Sequence, residues 1–285
     1  MKTLLAIINE PKESKDFIRY VADMAADFKA NVHLLYVQNP NDYPLGTTGS
    51  TGFAVAQVNQ NLKAFADTAK EILAEHIKDV KCKMSKDVAI DFSAELGVTT
   101  LLAKKLVSVS KGDMVVLEGR KNDSIWTQTE SNLEIIRSVD CPVWIIPNAW
   151  VYVPFTEIVY ATDYKEEDIY GLKKLIALTH QFSPVITALH ITDSVDFEEK
   201  VKKAGFLELL KNRAAYDHLS VKILNESSNN DIAEFINDFA LRVKADLIVV
   251  LKENKSFFER IFKSDPAKKI IEKSMLPILV FHNKE

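Results

Sequence analysis

Glycine is scarce, with 8 residues in a chain of 285. A protein that grips phosphates with backbone amides usually clusters glycines where the chain must approach closely. No Walker loop, no GxSxG elbow and no kinase-type set occurs, so no catalytic residue is assigned. Cysteine is scarcer still: Cys82 and Cys141 are the whole supply. Two cysteines exclude a disulfide framework and fit a reducing compartment. Neither has a Cys or His at metal-ligand spacing, and the burial habit of the residue predicts two buried or half-buried thiols. The six histidines, His33, His76, His180, His190, His218 and His282, form no zinc pattern. They are expected as satisfied core or edge residues, with no metal. No apolar run approaches the roughly 18 residues that span a bilayer. The start, Met1-Lys2 then Thr3 to Ile8, runs into Glu10, Glu13 and Asp16 and lacks a secretory leader's features. Excess positive charge is missing too: 36 basic against 40 acidic residues give −4, which argues against nucleic acid held by bulk charge. These absences predict a cytoplasmic protein without nucleic-acid or membrane partners.

What is present is a core and a repeat. The chain is 47% hydrophobic and carries 15 Phe, 8 Tyr and 3 Trp, enough to fold. LLAIIN at Leu4 to Asn9 matches IVYATD at Ile158 to Asp163, and NVHLLYV at Asn31 to Val37 matches VITALHI at Val185 to Ile191, both 154 residues on. GDMVVL at Gly112 to Leu117 matches ADLIVV at Ala245 to Val250, and CPVWII from Cys141 matches LPILVF from Leu276, at smaller offsets. The second copy has therefore lost residues, and the loop Asn39 to Phe53 is the place. Its GTTGSTG stretch, Gly46 to Gly52, does not run from strand into helix as a phosphate cradle should; it reads as a mobile loop. Two domains are predicted, 1–149 and 153–285, joined near Asn148 to Pro154.

Each half alternates five apolar β runs with four helical patterns. Near-continuous Val, Ile and Leu marks buried parallel strands with helices on both faces. Right-handed crossovers then give a doubly wound sheet, whose ligands bind beyond the carboxyl ends of the strands. Asp231 with Glu234 predicts a capping box, and Asp265-Pro266 predicts a helix start.

The pieces resemble the universal stress protein family as two tandem copies. The carriers are the ATD-type first-strand end at Ala161-Thr162-Asp163 and the second strand at His33 to Val37. With them go the D-L-I-V fourth strand at Asp246 to Val249 and the closing helix and strand at Ser131 to Ile146 and Ala267 to Phe281. The resemblance implies two Rossmann-like domains of the adenine nucleotide alpha-hydrolase type. Each would be a five-stranded parallel sheet of order 3-2-1-4-5. It implies an intramolecular pseudo-dimer through the fifth strands, which would cover two edges that are apolar at every position. A further homodimer and an unidentified protein partner stay open.

Some family members bind ATP through the first-strand Asp, backbone near the second-strand end and a G-x2-G-x9-G-(S/T) loop. Carried over to the second half, that set is Ala161, Thr162, Asp163, Ile191, Leu251, Asn254, Ser264 and Asp265. No glycine survives in that loop. In the first half the equivalents are Asn9, Val37, Gly119, Thr129 and Glu130, expected to be non-functional. Side chains at glycine positions obstruct the amide–phosphate approach, and a carboxylate at the helix start repels the anion that a helix N-terminus attracts. Lys252, Lys255, Lys263, Lys268 and Lys269 stand against this as point charges. The expected function is a non-catalytic stress or regulatory module with a degraded ATP loop in both halves and no cofactor. The alternative is an ATP- or AMP-binding, slowly hydrolysing protein using the second half's crevice.

Overall fold

The computed structural model describes residues 2–39, 52–110, 113–119, 132–225, 232–252 and 276–282. The chain divides into two compact units, Met1–Tyr152 and Val153–Glu285.

In the first unit the order is β1 (Thr3–Ile8), α1 (Lys15–Phe28), β2 (Asn31–Gln38), α2 (Gly52–Lys81) and β3 (Ile90–Leu96). Then come α3 (Thr99–Ser110), β4 (Met114–Glu118), α4 (Asn132–Ser138) and β5 (Val143–Ile146). The strands are parallel, in the order β3-β2-β1-β4-β5. β1 lies in the middle and is buried at five of six positions, as its unbroken LLAII requires. α1 buries Phe17, Ile18, Val21, Met24 and Ala25, a three-four stripe, and stops at Lys29 in the left-handed region. Just before it, the fully buried Ser14 donates its hydroxyl to the Pro11 carbonyl at 2.7 Å, closing the turn that leads into the helix.

The second unit repeats the plan with β6 (Glu157–Ala161), α5 (Glu166–Thr179), β7 (Val185–Thr192), α6 (Phe197–Ala214) and β8 (Leu219–Asn225). α7 (Ile232–Arg242), β9 (Leu247–Leu251) and β10 (Ile278–Phe281) complete it. All pairings are parallel, and the order is β8-β7-β6-β9-β10. Both units are thus five-stranded parallel sheets of order 3-2-1-4-5, as the resemblance implied. Of the four helices expected in the second unit, three fall among the described residues. The closing helix with Asp265-Pro266 lies outside them, as do Asp231 and most of the Gly46 to Gly52 loop; Gly52 is the first residue of α2.

One device occurs in both units. The aspartate before the fourth strand ties down the first residues of the central strand. Asp113 Oδ2 accepts from the backbone of Lys2 and of Thr3, the latter at 3.1 Å. Asp246 Oδ2 accepts from Thr156 N at 2.6 Å, Thr156 Oγ1 at 2.8 Å and Glu157 N at 3.1 Å. The shared Asp of GDMVVL and ADLIVV therefore anchors strand pairing.

The two thiols differ. Cys141 is buried, and burial pushes its pKa up to about 11. Cys82 is exposed, contrary to the expectation of two sheltered thiols, because it lies just beyond the end of α2.

Candidate functional site

The crevice of each unit lies where the winding reverses, beyond the carboxyl ends of its first and fourth strands. In the first unit Asn9 follows β1, and its carboxamide donates to the Glu118 carbonyl at the end of β4, 3.2 Å away. Asn132 Nδ2 reaches the same carbonyl at 3.4 Å, and Asn148 Nδ2 reaches the Glu118 carboxylate at 3.4 Å. Three amides thus converge on the end of β4. Val37 lies inside β2, level with Glu95. Gly119 donates its N–H to the Ile146 carbonyl at 2.6 Å, and a Cβ there would sit 3.1 Å from that oxygen. Its lack of a side chain serves close packing of β4 against β5. Thr129 and Glu130 lie outside the described residues.

In the second unit Ala161, Thr162, Asp163, Ile191 and Leu251 reach one carboxyl edge. Ala161 ends β6, Ile191 lies near the end of β7, and Leu251 ends β9. Thr162 is fully buried and structural: its N–H meets the Leu189 carbonyl at 2.9 Å, and its hydroxyl donates to Asp168 Oδ2 at 2.8 Å. Asp168, at the third position of α5, is itself 1% exposed. It also accepts from Tyr160 Oη at 3.2 Å, Asp163 N at 3.1 Å and Lys165 N at 3.2 Å. Burial pushes the Asp168 carboxyl above the ordinary range, while these donors pull it back. Asn254, Ser264 and Asp265 lie outside the described residues.

The centre of this edge is His190, which sequence reading set aside. Its Nδ1 lies 2.8 Å from the Thr162 carbonyl and 3.9 Å from Asp163 Oδ1. Its Nε2 lies 3.3 Å from Glu199 Oε2, in the first turn of α6. The side chains of His190, Asp163 and Glu199 are 12%, 19% and 14% exposed. Tyr164, held at φ +60°, lays its ring over the imidazole with centroids 4.3 Å apart and packs on Phe206 at 5.1 Å. The Tyr164 hydroxyl and Glu199 Oε2 are buried without a hydrogen-bond partner among the described residues. Burial, then the Glu199 charge, pushes the Tyr164 hydroxyl well above its ordinary pKa. Lys202 is held by Glu198 at 2.8 Å and Glu199 at 3.0 Å. The only early signal for this cluster was position: His190 lies near the end of β7, 154 residues after Tyr36, whose hydroxyl donates to Gln38 Oε1 at 2.6 Å.

The edge therefore gathers two carboxylates around an imidazole whose nitrogens already face protein oxygens. No group of described residues could hold a metal ion. Among the described residues no helix is long and apolar enough to cross a membrane.

No protein-family model matches the chain. A universal stress protein of Methanocaldococcus jannaschii is 28% identical over 138 residues, 44% of this chain and 81% of that protein. The crystal structure of a universal stress protein from Archaeoglobus fulgidus DSM 4304 superposes with a TM-score of 0.64 at 12% identity, covering 99% of this chain and 97% of that one. A functionally unknown protein, PA1789 of Pseudomonas aeruginosa PAO1, gives 0.60 at 10% identity over 99% and 92%. The sequence relative agrees with the family resemblance, and the two structures bear out the fold.

Proposed function

With the universal stress protein likeness as premise, we propose that this chain is a cytoplasmic, non-catalytic stress-response module that does not hold a nucleotide in the family's manner. The observation that carries the reading is the carboxyl edge of β6 and β7. There Asp163 and Glu199 flank His190, and Tyr164 covers the ring. A phosphate chain brought to this edge meets the Glu199 carboxylate beside the ring, while the neighbouring Lys202 is already engaged. In the first unit Asn9 replaces the charged Asp and spends its amide on Glu118. Isothermal titration of the full chain with ATP and AMP tests the reading: no heat at micromolar protein is expected, and sub-micromolar ATP binding overturns it.

A second reading rests on Asp163, which keeps the family's residue at the end of β6. In that case the second unit binds ATP or AMP and hydrolyses it slowly. Magnesium-dependent turnover abolished by Asp163→Ala supports it, and absence of turnover at high protein concentration removes it.

We propose further that the fifth strands cover each other's edges within the chain, on the strength of the unbroken apolar runs VWII and ILVF. Slow amide exchange at every residue of both strands is expected. Fast exchange at alternate amides, the mark of an open edge, overturns it.

A further inference from the structure

Helix α6 carries apolar side chains on both of its sides. Its inner side buries Phe206 and Leu210. On a helix, positions four apart form a row. One such row is Phe197, Val201, Gly205 and Leu209, all exposed and turned away from Phe206 and Leu210. Phe197 is 82% exposed and Val201 53%. Asp196 caps the helix, its carboxylate accepting from Glu199 N at 2.9 Å. Phe197 follows that cap directly, so an ordered helix start holds its ring in water. At Gly205 a Cβ would meet nothing within 4 Å, which leaves a notch in the middle of the row. Single apolar side chains on a surface need no explanation; three along one helix row mark a contact surface.

The neighbouring row points to the occupant. Lys200, Ala204 and Glu208, also four apart, are exposed beside the apolar row. Neither Lys200 nor Glu208 has a salt bridge among the described residues, whereas Lys202, on the other flank, is held by Glu198 and Glu199. Lys200 and Glu208 are about 12 Å apart along the helix and cannot pair with each other. The row reads cation, small residue, carboxylate. Reversed end for end, it is its own electrostatic complement. A two-fold axis at Ala204 brings each chain's Lys200 to the other chain's Glu208 and lets the helices close over the alanines. The same reversal lays the Phe197 end of one apolar row beside the Leu209 end of the other. One turn beyond Leu209, Arg213 Nη1 is tied to Glu166 of α5 at 2.9 Å, and the exposed Tyr170 is one turn along α5 from Glu166. A phenyl ring arriving there meets an aromatic ring and a guanidinium, both favourable neighbours.

We propose that α6 is the docking surface for a second copy of this chain, the two helices running antiparallel and crossing at Ala204. Rows of this kind packed together cross at about −50°. The contact is little more than one helix wide, so the dimer is weak and forms and parts with concentration. Glu199, which meets His190, is on the opposite side of the helix, so the contact does not depend on whether a nucleotide binds.

Sedimentation velocity of the full chain, from micromolar to millimolar concentration, tests the proposal. A reversible monomer–dimer equilibrium is expected. Val201→Glu weakens it at least about tenfold, because a charge then lies in the middle of the contact. Lys200→Glu and Glu208→Lys each weaken it at least about 5-fold, since each turns two attractions into repulsions, and the double reversal restores it to within about twofold. High salt narrows the gap between the parent and the single charge variants. These positions are exposed, and circular dichroism verifies that each variant is folded. A chain monomeric at every concentration, which would leave the row to a different partner, overturns the proposal. So does a dimer indifferent to Val201→Glu, or a double reversal no stronger than the single ones.

Discussion

Asp168 offers the sharpest test of how the second unit's crevice is built. Four donors converge on its carboxylate: the hydroxyls of Thr162 and Tyr160 and the N–H groups of Asp163 and Lys165. Asp168→Ala leaves all four facing a void. A buried donor without a partner costs about 1–3 kcal/mol. The two hydroxyls can turn and water can reach the N–H groups at the helix start. Losing a buried carboxylate also relieves its desolvation. A net loss of about 2–4 kcal/mol follows. Asp168→Asn keeps a carbonyl for the Thr162 hydroxyl and the two N–H groups, and offers its amide to the Tyr160 oxygen, so it costs about 1 kcal/mol. The pH dependence has a definite sign. Burial raises the folded carboxyl above its unfolded value, so between the two the folded chain binds more protons. Stability from this group is complete below the ordinary Asp pKa and declines as pH rises through the raised value. Asp168→Asn removes that slope. Urea unfolding followed by circular dichroism at several pH values reads both effects. An alanine variant within about 0.5 kcal/mol of the parent, or a slope unchanged in Asp168→Asn, would refute the reasoning.

Two glycines in helices should respond oppositely to alanine. At Gly171 a Cβ would stand 2.3 Å from Tyr160 Oη, inside the core, so overpacking of about 1–3 kcal/mol outweighs the helix gain and Gly171→Ala lowers the melting temperature. At Gly205 a Cβ meets nothing within 4 Å, so Gly205→Ala gains about 0.5–1 kcal/mol and raises it. The thiols should separate kinetically: iodoacetamide at pH 8 should alkylate Cys82 quickly and Cys141 only on unfolding, since Cys141 is buried and its pKa lies at about 11. Peptide mapping reads this, and equal rates in the folded chain would show the burial of Cys141 to be wrong.

Much of the fold was legible because buried parallel strands are written in runs. LLAII and IVYA declare central strands, and their 154-residue spacing declares the repeat. Asn9 and Asp163 were placed at strand ends by the same logic. The cluster around His190 was not legible, because it depends on a meeting of elements that spacing does not encode. His190 meets Glu199 only after the chain has turned out of β7 and entered α6 in one particular phase. The tyrosine cover on His190 needed a further fact, the left-handed backbone at Tyr164, which a non-glycine residue does not advertise.

The aspartate anchors carry a consequence for synthesis. Thr3 is tied to Asp113, 110 residues on, and Thr156 to Asp246, 90 residues on. The innermost strand of each sheet is thus made first and anchored only when the fourth strand arrives. A nascent chain on the ribosome must keep LLAII waiting until more than a hundred residues have emerged, exposed to capture by chaperones or neighbouring chains. The earlier unit then completes its sheet before the later one has left the tunnel. Slow translation between Leu96 and Asp113 would therefore lengthen the most vulnerable interval in the life of this molecule.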